Sequence, residues 1–265
     1  SMDEYNGNLR VATTYQPYFD WRMPQEQQDV SKNNVYVLDS GMDVIGKLED
    51  LAPGERIYST RFIKDRVYLV TFKKIDPLFV IDLSNPSSPS ILGKLKIPGY
   101  SDYLHPYDED TIIGIGKEAV ESKQGDFALY QGVKLALFDV SDVANPKELA
   151  KYNIGDRGTD SEALHEHKAF LFSKEKNLLV LPITLAEFKK PPQYQWEYGE
   201  YTFQGAYVFK LTKESGFELK GRISHTNQDE IDKMGSYGYF SNSVRRSLYI
   251  DDTLYTISDG FIKAN

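Results

Sequence analysis

The densest cluster of potential metal ligands lies between residues 160 and 167 and contains Asp160, Glu162, His165 and His167. Side chains two residues apart in a strand point to the same side, so a strand here would direct both histidines the same way. Two imidazoles in that arrangement suit one Zn²⁺ or a similar divalent ion. The sequence contains no HExxH or other strong metal signature. We favour structural hydrogen bonding between repeats for these side chains, and a site for a divalent metal or another ligand stays open as the alternative.

Aromatic residues supply the second candidate chemistry. Most of the 19 tyrosines, 14 phenylalanines and 2 tryptophans lie in apolar segments, where they would fill a core. Residues 15–24 and 191–203 differ, because both stretches are loop-like and contain proline. Exposed aromatic side chains in loops are typical of partner recognition. The candidate ligand-binding residues are Trp21, Tyr194, Trp196 and Tyr198. The alternative is that these loops fold back and cover an exposed sheet edge.

Arg245 and Arg246 form a basic pair near the C-terminal end of the sequence. Adjacent arginines could clamp a ligand carboxylate in a central channel, or they could pair with acids of a neighbouring repeat. The formal net charge of −8 favours the second interpretation.

Composition excludes several functional classes. The net charge of −8 and the lack of a basic stripe argue against a nucleic-acid partner. The absence of cysteine excludes disulfides, thiolate nucleophiles and Cys-ligated zinc. The sequence has no GxSxG nucleophile motif and no apolar run near the roughly 18 residues of a spanning helix. We therefore identify no catalytic residue and expect no membrane-spanning segment in this chain.

A repeated pattern of short strands organises the sequence. Four similar apolar strands end at Asp39, Asp82, Asp139 and Lys210, in the strings VYVLD, LFVID, LALFD and AYVFK. Each is followed by a polar turn and a further strand, and each is preceded by a hairpin with an acidic or amide-rich turn. The recurring acids are typical of side chains that cap a turn through their own backbone.

Four short strands per repeat predict an all-β β-propeller of four-stranded antiparallel blades. Asp39 and Asp82 stand 43 residues apart, within the roughly 40–50 residues usual for a blade. Insertions at 117–132 and 186–204 fall at the same step of their blades, so they should project from one face. We expect a strand content above about 40% and innermost strands at 57–63 and 166–172. The predicted single domain spans 1–265, with blades at 1–51, 56–97, 101–154 and 163–225 and a partial fifth blade at 244–265.

Several of these strings carry a family resemblance. NNVYVLD, LAPGERIYSTRF, FQGAYVFK and VRRSLYI are similar to the C-terminal propeller domain of secreted archaeal and bacterial proteins distantly related to WD repeats. The resemblance implies a β-propeller exported to the cell exterior or surface, with no established catalytic residues. In that family the earlier half of the protein supplies further blades. Together with the unpaired strands at both ends, this leads us to expect a piece of a longer propeller.

Three functional classes follow from these observations. We favour a noncatalytic extracellular interaction module or scaffold that binds a protein or glycan partner, because the aromatic loops interrupt the repeat and no repeat-breaking pair of acids is visible. An extracellular hydrolase or lyase that acts on a polymer, with acids in the central channel, is the alternative. A purely structural spacer is the third class.

Overall fold

Short apolar strands separated by tight polar turns form almost the whole molecule. The computed structural model describes residues 1–18, 21–24, 28–72, 75–122, 128–227, 229–231 and 242–265. Strands make up 61% of the structure, which agrees with the predicted strand content of more than about 40%. None of the helices among the described residues is long and apolar enough to cross a membrane.

Four sheets contain four strands each, hydrogen-bonded in chain order and antiparallel throughout. The first sheet consists of Met2–Tyr5 (β1), Asn8–Tyr15 (β2), Lys32–Leu38 (β3) and Val44–Leu51 (β4). The second consists of Arg56–Ile63 (β5), Arg66–Phe72 (β6), Ile75–Asp82 (β7) and Ser90–Pro98 (β8). The third consists of Tyr100–Asp108 (β9), Thr111–Glu121 (β10), Ala128–Asp139 (β11) and Lys147–Ile154 (β12). The fourth consists of Leu171–Ser173 (β13), Leu178–Glu187 (β14), Glu200–Thr212 (β15) and Gly216–Ile223 (β16).

The fifth sheet has three strands, Arg246–Ile250 (β17), Thr253–Ile257 (β18) and Ile262–Ala264 (β19). Four complete blades and a partial fifth therefore follow one another along the chain, which confirms the predicted fold class.

Consecutive sheets pack face to face and enclose the core between them. β2 packs on β5, β5 on β9, β12 on β16 and β14 on β17. Because a sheet between two others is buried on both faces, its inner strands lose the alternation of apolar and polar residues. Every residue of β6 from Val67 to Phe72 is buried for this reason.

Glycines allow neighbouring sheets to approach closely at their outer edges. A Cβ on Gly46 would lie 1.9 Å from the carbonyl oxygen of Pro86, and one on Gly93 would lie 1.9 Å from that of Val143. In both cases the outermost strand of one blade meets the turn between the third and fourth strands of the next blade. The repeat thus requires glycine because the neighbouring backbone occupies the space of a side chain.

The segment that leads into the fourth sheet departs from the prediction. Residues 162–164 and 167–169 form two 3₁₀ turns, and β13 begins only at Leu171. The Ser161 hydroxyl accepts a hydrogen bond from the Ala163 amide, and the Glu166 carboxylate accepts one from the Lys168 amide. Such local side-chain bonds stabilise turns in place of a strand, so the predicted innermost strand at 166–172 is wrong over its first five residues.

The direction of the strands places the longer connections between them on one side of the sheets. Since strands alternate in direction, the connection between second and third strands emerges on the same side as the connection between successive sheets. We call this side the insertion face. It carries the described residues between β2 and β3, those between β14 and β15, and residues 155–170 between the third and fourth sheets.

Candidate functional site

The predicted aromatic residues are among the most exposed large side chains of the described structure. Trp21 is 80% exposed, Tyr198 67%, Tyr194 54% and Trp196 48%. Trp21 lies between β2 and β3, and the other three lie between β14 and β15. Both segments lie on the insertion face, as their position in the repeat predicts. In both segments these aromatic side chains are exposed to solvent.

The loop between β14 and β15 holds its aromatic rings in a fixed arrangement. The Glu197 carboxylate accepts hydrogen bonds from the backbone amides of Gln193 and Tyr194, both at 3.1 Å. The rings of Tyr194 and Trp196 are stacked, with centroids 4.9 Å apart and planes inclined by only 10°. The loop therefore presents a rigid pair of aromatic rings to solvent.

Arg157 fastens this loop to the third sheet. Its guanidinium carbon lies 4.5 Å from the centroid of the Tyr198 ring. Its nitrogens donate to the carbonyl oxygens of Tyr130 at 2.8 Å and Trp196 at 3.3 Å, and to the Tyr198 hydroxyl at 3.2 Å. Cation–π contact and hydrogen bonding thus join residues from three separate segments. We call Tyr130, Arg157, Tyr194, Trp196 and Tyr198 the aromatic patch.

The aromatic patch continues into a buried aromatic cluster. The Tyr130 ring lies 5.1 Å from Tyr100 and 6.0 Å from Phe72, and its hydroxyl lies 3.1 Å from that of Tyr58. Burial, followed by the hydrogen bond with Tyr58, raises the pKa of Tyr130 to about 12. A packed aromatic base therefore supports the exposed rings.

Trp21 belongs to a separate part of the insertion face. It lies in the connection between β2 and β3 of the first sheet. The second sheet lies between that sheet and the third, which contributes Tyr130 to the aromatic patch. Tyr18 in the same connection is 88% exposed. Residues 19 and 20 of the predicted aromatic stretch lie outside the described residues.

The predicted metal-ligand cluster has a different geometry from the one expected. His165 caps the C-terminal end of the first 3₁₀ turn and His167 begins the second, so the two histidines do not share a strand face and that prediction is wrong. Asp160 forms an ion pair with Lys117 at 2.9 Å, and Glu162 is exposed. Among the residues that the structure describes, no group of three or more potential ligands could hold a metal ion. A metal ion at this position stays a prediction, but the strand geometry on which that prediction was based is absent from the described residues.

The two histidines instead line a cavity of about 320 Å³ together with Arg61, Asp102 and Tyr103. Asp102 and Tyr103 also line a neighbouring cavity of about 440 Å³. Burial, reinforced by the charge of Asp160 and opposed by those of Lys117 and Arg56, raises the pKa of Asp102 to about 7. An acid that is half-buried in a cavity and has a pKa near neutrality can serve in proton transfer.

Arg245 and Arg246 remain exposed and take different partners. Arg245 pairs with Asp259 at 3.1 Å. Asp259 follows β18, so this partner belongs to the same sheet as Arg245. The favoured interpretation had placed the partner in a neighbouring repeat. Arg246 lies near Glu166 of the preceding repeat and helps to lower the pKa of that carboxyl, after the larger effect of the Lys168 amide.

Sequence reasoning missed Arg157, Tyr130, Arg61 and Asp102. Tyr130 lies within the predicted insertion at 117–132, which provided a signal that it projects with the other insertion. The other three side chains contact residues from other sheets, and no local sequence pattern predicts such contacts.

Two archaeal proteins are similar to this chain along nearly its full length. An uncharacterized protein from Archaeoglobus fulgidus is 44% identical over 257 residues, which cover 97% of this chain and 31% of that protein. An uncharacterized protein from Methanocaldococcus jannaschii is 40% identical over 258 residues, covering 97% and 33% respectively. The chain thus spans about a third of the length of the curated relatives it matches.

A solved structure of cobalt-substituted Synechocystis ACO aligns with 95% of this chain and 53% of its own length, with 7% identity and a TM-score of 0.39. That similarity is too low to carry an argument. The Beta propeller domain family matches residues 1–265 without interruption. Together with the successive four-stranded sheets, this match shows that the chain belongs to the beta propeller domain family.

Proposed function

We propose that this chain is a noncatalytic interaction module that binds a protein partner through the aromatic patch. The observation that carries the proposal is the stacked and exposed Tyr194–Trp196 pair, which Glu197 and Arg157 hold in place. A large apolar surface fixed in an exposed position has no structural need of its own, since the fold would be satisfied by polar residues there.

The composition of the aromatic patch favours a protein over other partners. Tryptophan, tyrosine and arginine are the residue types that most often dominate the binding energy of protein interfaces. Because the rings are already ordered, binding would cost little side-chain entropy. Trp21 provides a second exposed anchor on the same face for a partner large enough to reach from the fourth sheet to the first.

We further propose that the module acts outside the cell or at its surface, within the secreted propeller group distantly related to WD repeats. The resemblance of the repeat strings to that group supports this location. Separating the cells that produce the full-length protein into cytosolic and envelope fractions tests it, and recovery in the cytosolic fraction alone would contradict it.

A binding screen with matched variants tests the proposed function. Immobilised wild-type protein is exposed to envelope proteins of the source organism and, in a separate arm, to a glycan array. Retained proteins are then purified and measured against Trp196→Ala, Trp21→Ala and Phe261→Ala. Phe261 is a matched control because it is also 48% exposed but lies in the connection between β18 and β19 of the fifth sheet, outside the aromatic patch. Binding of a protein that depends on Trp196 but not on Phe261 supports the proposal, whereas Trp196-dependent binding of glycans alone would replace it with sugar recognition.

Asp102 favours a second candidate function, cleavage of an extracellular polymer by a hydrolase or lyase. The carboxyl lines both cavities and has a pKa near neutrality. Incubation with acidic and neutral polysaccharides, followed by measurement of new reducing ends, tests this candidate. Activity that Asp102→Asn abolishes would support it, and equal activity in that variant would exclude Asp102 from the reaction.

A further inference from the structure

The cavity beside the two 3₁₀ turns is lined by a cation, Arg61, that has no counterion among the described residues. Arg61 lies on β5 and lines the cavity with Asp102, Tyr103, His165 and His167. Its Nε is inaccessible to solvent and has no hydrogen-bond partner. None of the ion pairs among the described residues involves Arg61. A buried guanidinium nitrogen left in this state is unusual, because buried polar groups are nearly always hydrogen-bonded.

The neighbouring carboxyl does not neutralise Arg61. Asp102 lines the same cavity, but a carboxylate paired with an arginine has a lowered pKa. The pKa of Asp102 is instead raised to about 7 by burial, and the positive charges that oppose this shift are those of Lys117 and Arg56. The charge of Arg61 acts on other neighbours: after burial, it helps to lower the pKa of His105, and it opposes the rise in the pKa of Tyr103 that burial causes. The cavity thus keeps a positive charge in a chain whose net charge is −8.

The remaining lining residues supply hydrogen-bond donors. The Tyr103 hydroxyl lies 3.0 Å from Nδ1 of His105 and can donate to a ligand when that Nδ1 carries the ring proton and itself donates to the hydroxyl. His165 and His167 each offer a ring N–H. The volume of about 320 Å³ lies at the small end of the range of ligand pockets and would admit a group the size of one sugar acid or phosphate ester. A guanidinium surrounded by hydrogen-bond donors is the arrangement that recognises oxyanions.

We propose that this cavity is a binding site for a small oxyanion, a carboxylate or phosphate group, with Arg61 as its charged anchor. Tyr103, His165 and His167 complete the site by donating hydrogen bonds. This site uses none of the residues of the aromatic patch, so it goes beyond the proposed function and does not depend on it. It also accounts for the two histidines without a metal ion.

Titration with inorganic phosphate and, separately, with acetate tests the proposal at constant ionic strength. Binding is followed by amide chemical shifts of the whole 265-residue chain at pH 6. We expect saturable shifts around the cavity with at least one anion, and the two arms distinguish a phosphate site from a carboxylate site. Arg61→Gln should weaken this binding about tenfold or more. Arg222→Gln is the matched control, because Arg222 is exposed on β16 at the outer edge of its sheet, and it should bind as the wild type does.

Two further variants keep the proposal testable. Asp102→Asn removes a carboxyl and should leave anion binding intact or strengthen it. If Arg61→Gln does not fold, His165→Gln takes its place and should weaken binding several-fold. The proposal is overturned if neither anion gives saturable shifts, if Arg222→Gln weakens binding as much as Arg61→Gln, if His165→Gln has no effect, or if Zn²⁺ binds the cavity while the anions do not.

Discussion

The guanidinium carbon of Arg157 lies 4.5 Å from the centroid of the Tyr198 ring and so ties the connection between two sheets to the insertion loop of the fourth sheet. Three hydrogen bonds from the same guanidinium, to Tyr130, Trp196 and Tyr198, reinforce this contact. Arg157 therefore acts together with Glu197, which bonds the Gln193 and Tyr194 amides within the loop, to order the exposed aromatic rings.

Arg157→Ala should loosen the loop between β14 and β15 without unfolding the sheets. The loss of one cation–π contact and three partly exposed hydrogen bonds should lower the free energy of unfolding by about 1 kcal/mol. Hydrogen exchange of residues 188–199 should become faster, and exchange in β14 should stay slow. Arg222→Ala removes a comparable contact, 4.9 Å from Tyr207, and should leave the loop unchanged. Equal exchange rates in the Arg157 variant and the wild type would contradict this role.

Gly93→Ala should destabilise the seam between the second and third sheets. A Cβ there meets the Val143 carbonyl oxygen at 1.9 Å, so the backbone must shift, and we expect a loss of about 2 kcal/mol or more. Gly221→Ala is the control, because nothing lies within 4 Å of a Cβ at that position. That change should be neutral or slightly stabilising. Urea unfolding of both variants provides the comparison, and equal midpoints would show that the seam tolerates a side chain.

Asp102→Asn should stabilise the protein in neutral and alkaline solution. The pKa of this carboxyl is raised from 3.8 to about 7 in the folded state, chiefly by burial. The unfolded chain therefore releases this proton first, and the wild type loses stability as the pH rises from about 4 to about 7. Asparagine removes that loss, so the variant should be more stable by about 1–3 kcal/mol at pH 8 and little different below pH 4. A difference in free energy of unfolding that does not vary with pH would contradict the assignment.

His105→Gln should destabilise the protein, in contrast to Asp102→Asn, and the size of this effect should also depend on pH between about 4 and 7. Burial, followed by the charge of Arg61, lowers the pKa of His105 from 6.5 to about 4. The stability that this neutral imidazole contributes is present above pH 6.5 and is lost as the pH falls towards 4. The advantage of the wild type over the variant should therefore shrink with acidification. Denaturant unfolding at pH 4.5 and pH 7.5 measures the change, and an advantage that grows in acid would contradict the burial of this side chain.

The repeat of strands and turns was readable from the sequence because strand pairing and turn chemistry are local. The strings ending at Asp39, Asp82 and Asp139 lie in the third strands of successive sheets, and the loops with Trp21 and Trp196 occupy the same connection of their sheets. The segment from 160 to 169 was misjudged since Ser161 and Glu166 cap turns locally. Arg61 and Arg157 could not be found in this way, because their neighbours come from other sheets.

The measurement that most directly tests the central claim is the affinity of the purified protein partner for Trp196→Ala and Phe261→Ala, with melting temperatures recorded for both. Losing a central tryptophan of an interface should cost about 2 kcal/mol, so Trp196→Ala should bind about 30-fold more weakly. Its melting temperature should stay near that of the wild type, because the ring is 48% exposed. Phe261→Ala should bind within about twofold of the wild type. If Trp196→Ala binds as tightly as the wild type, or unfolds, the aromatic patch is not the recognition surface.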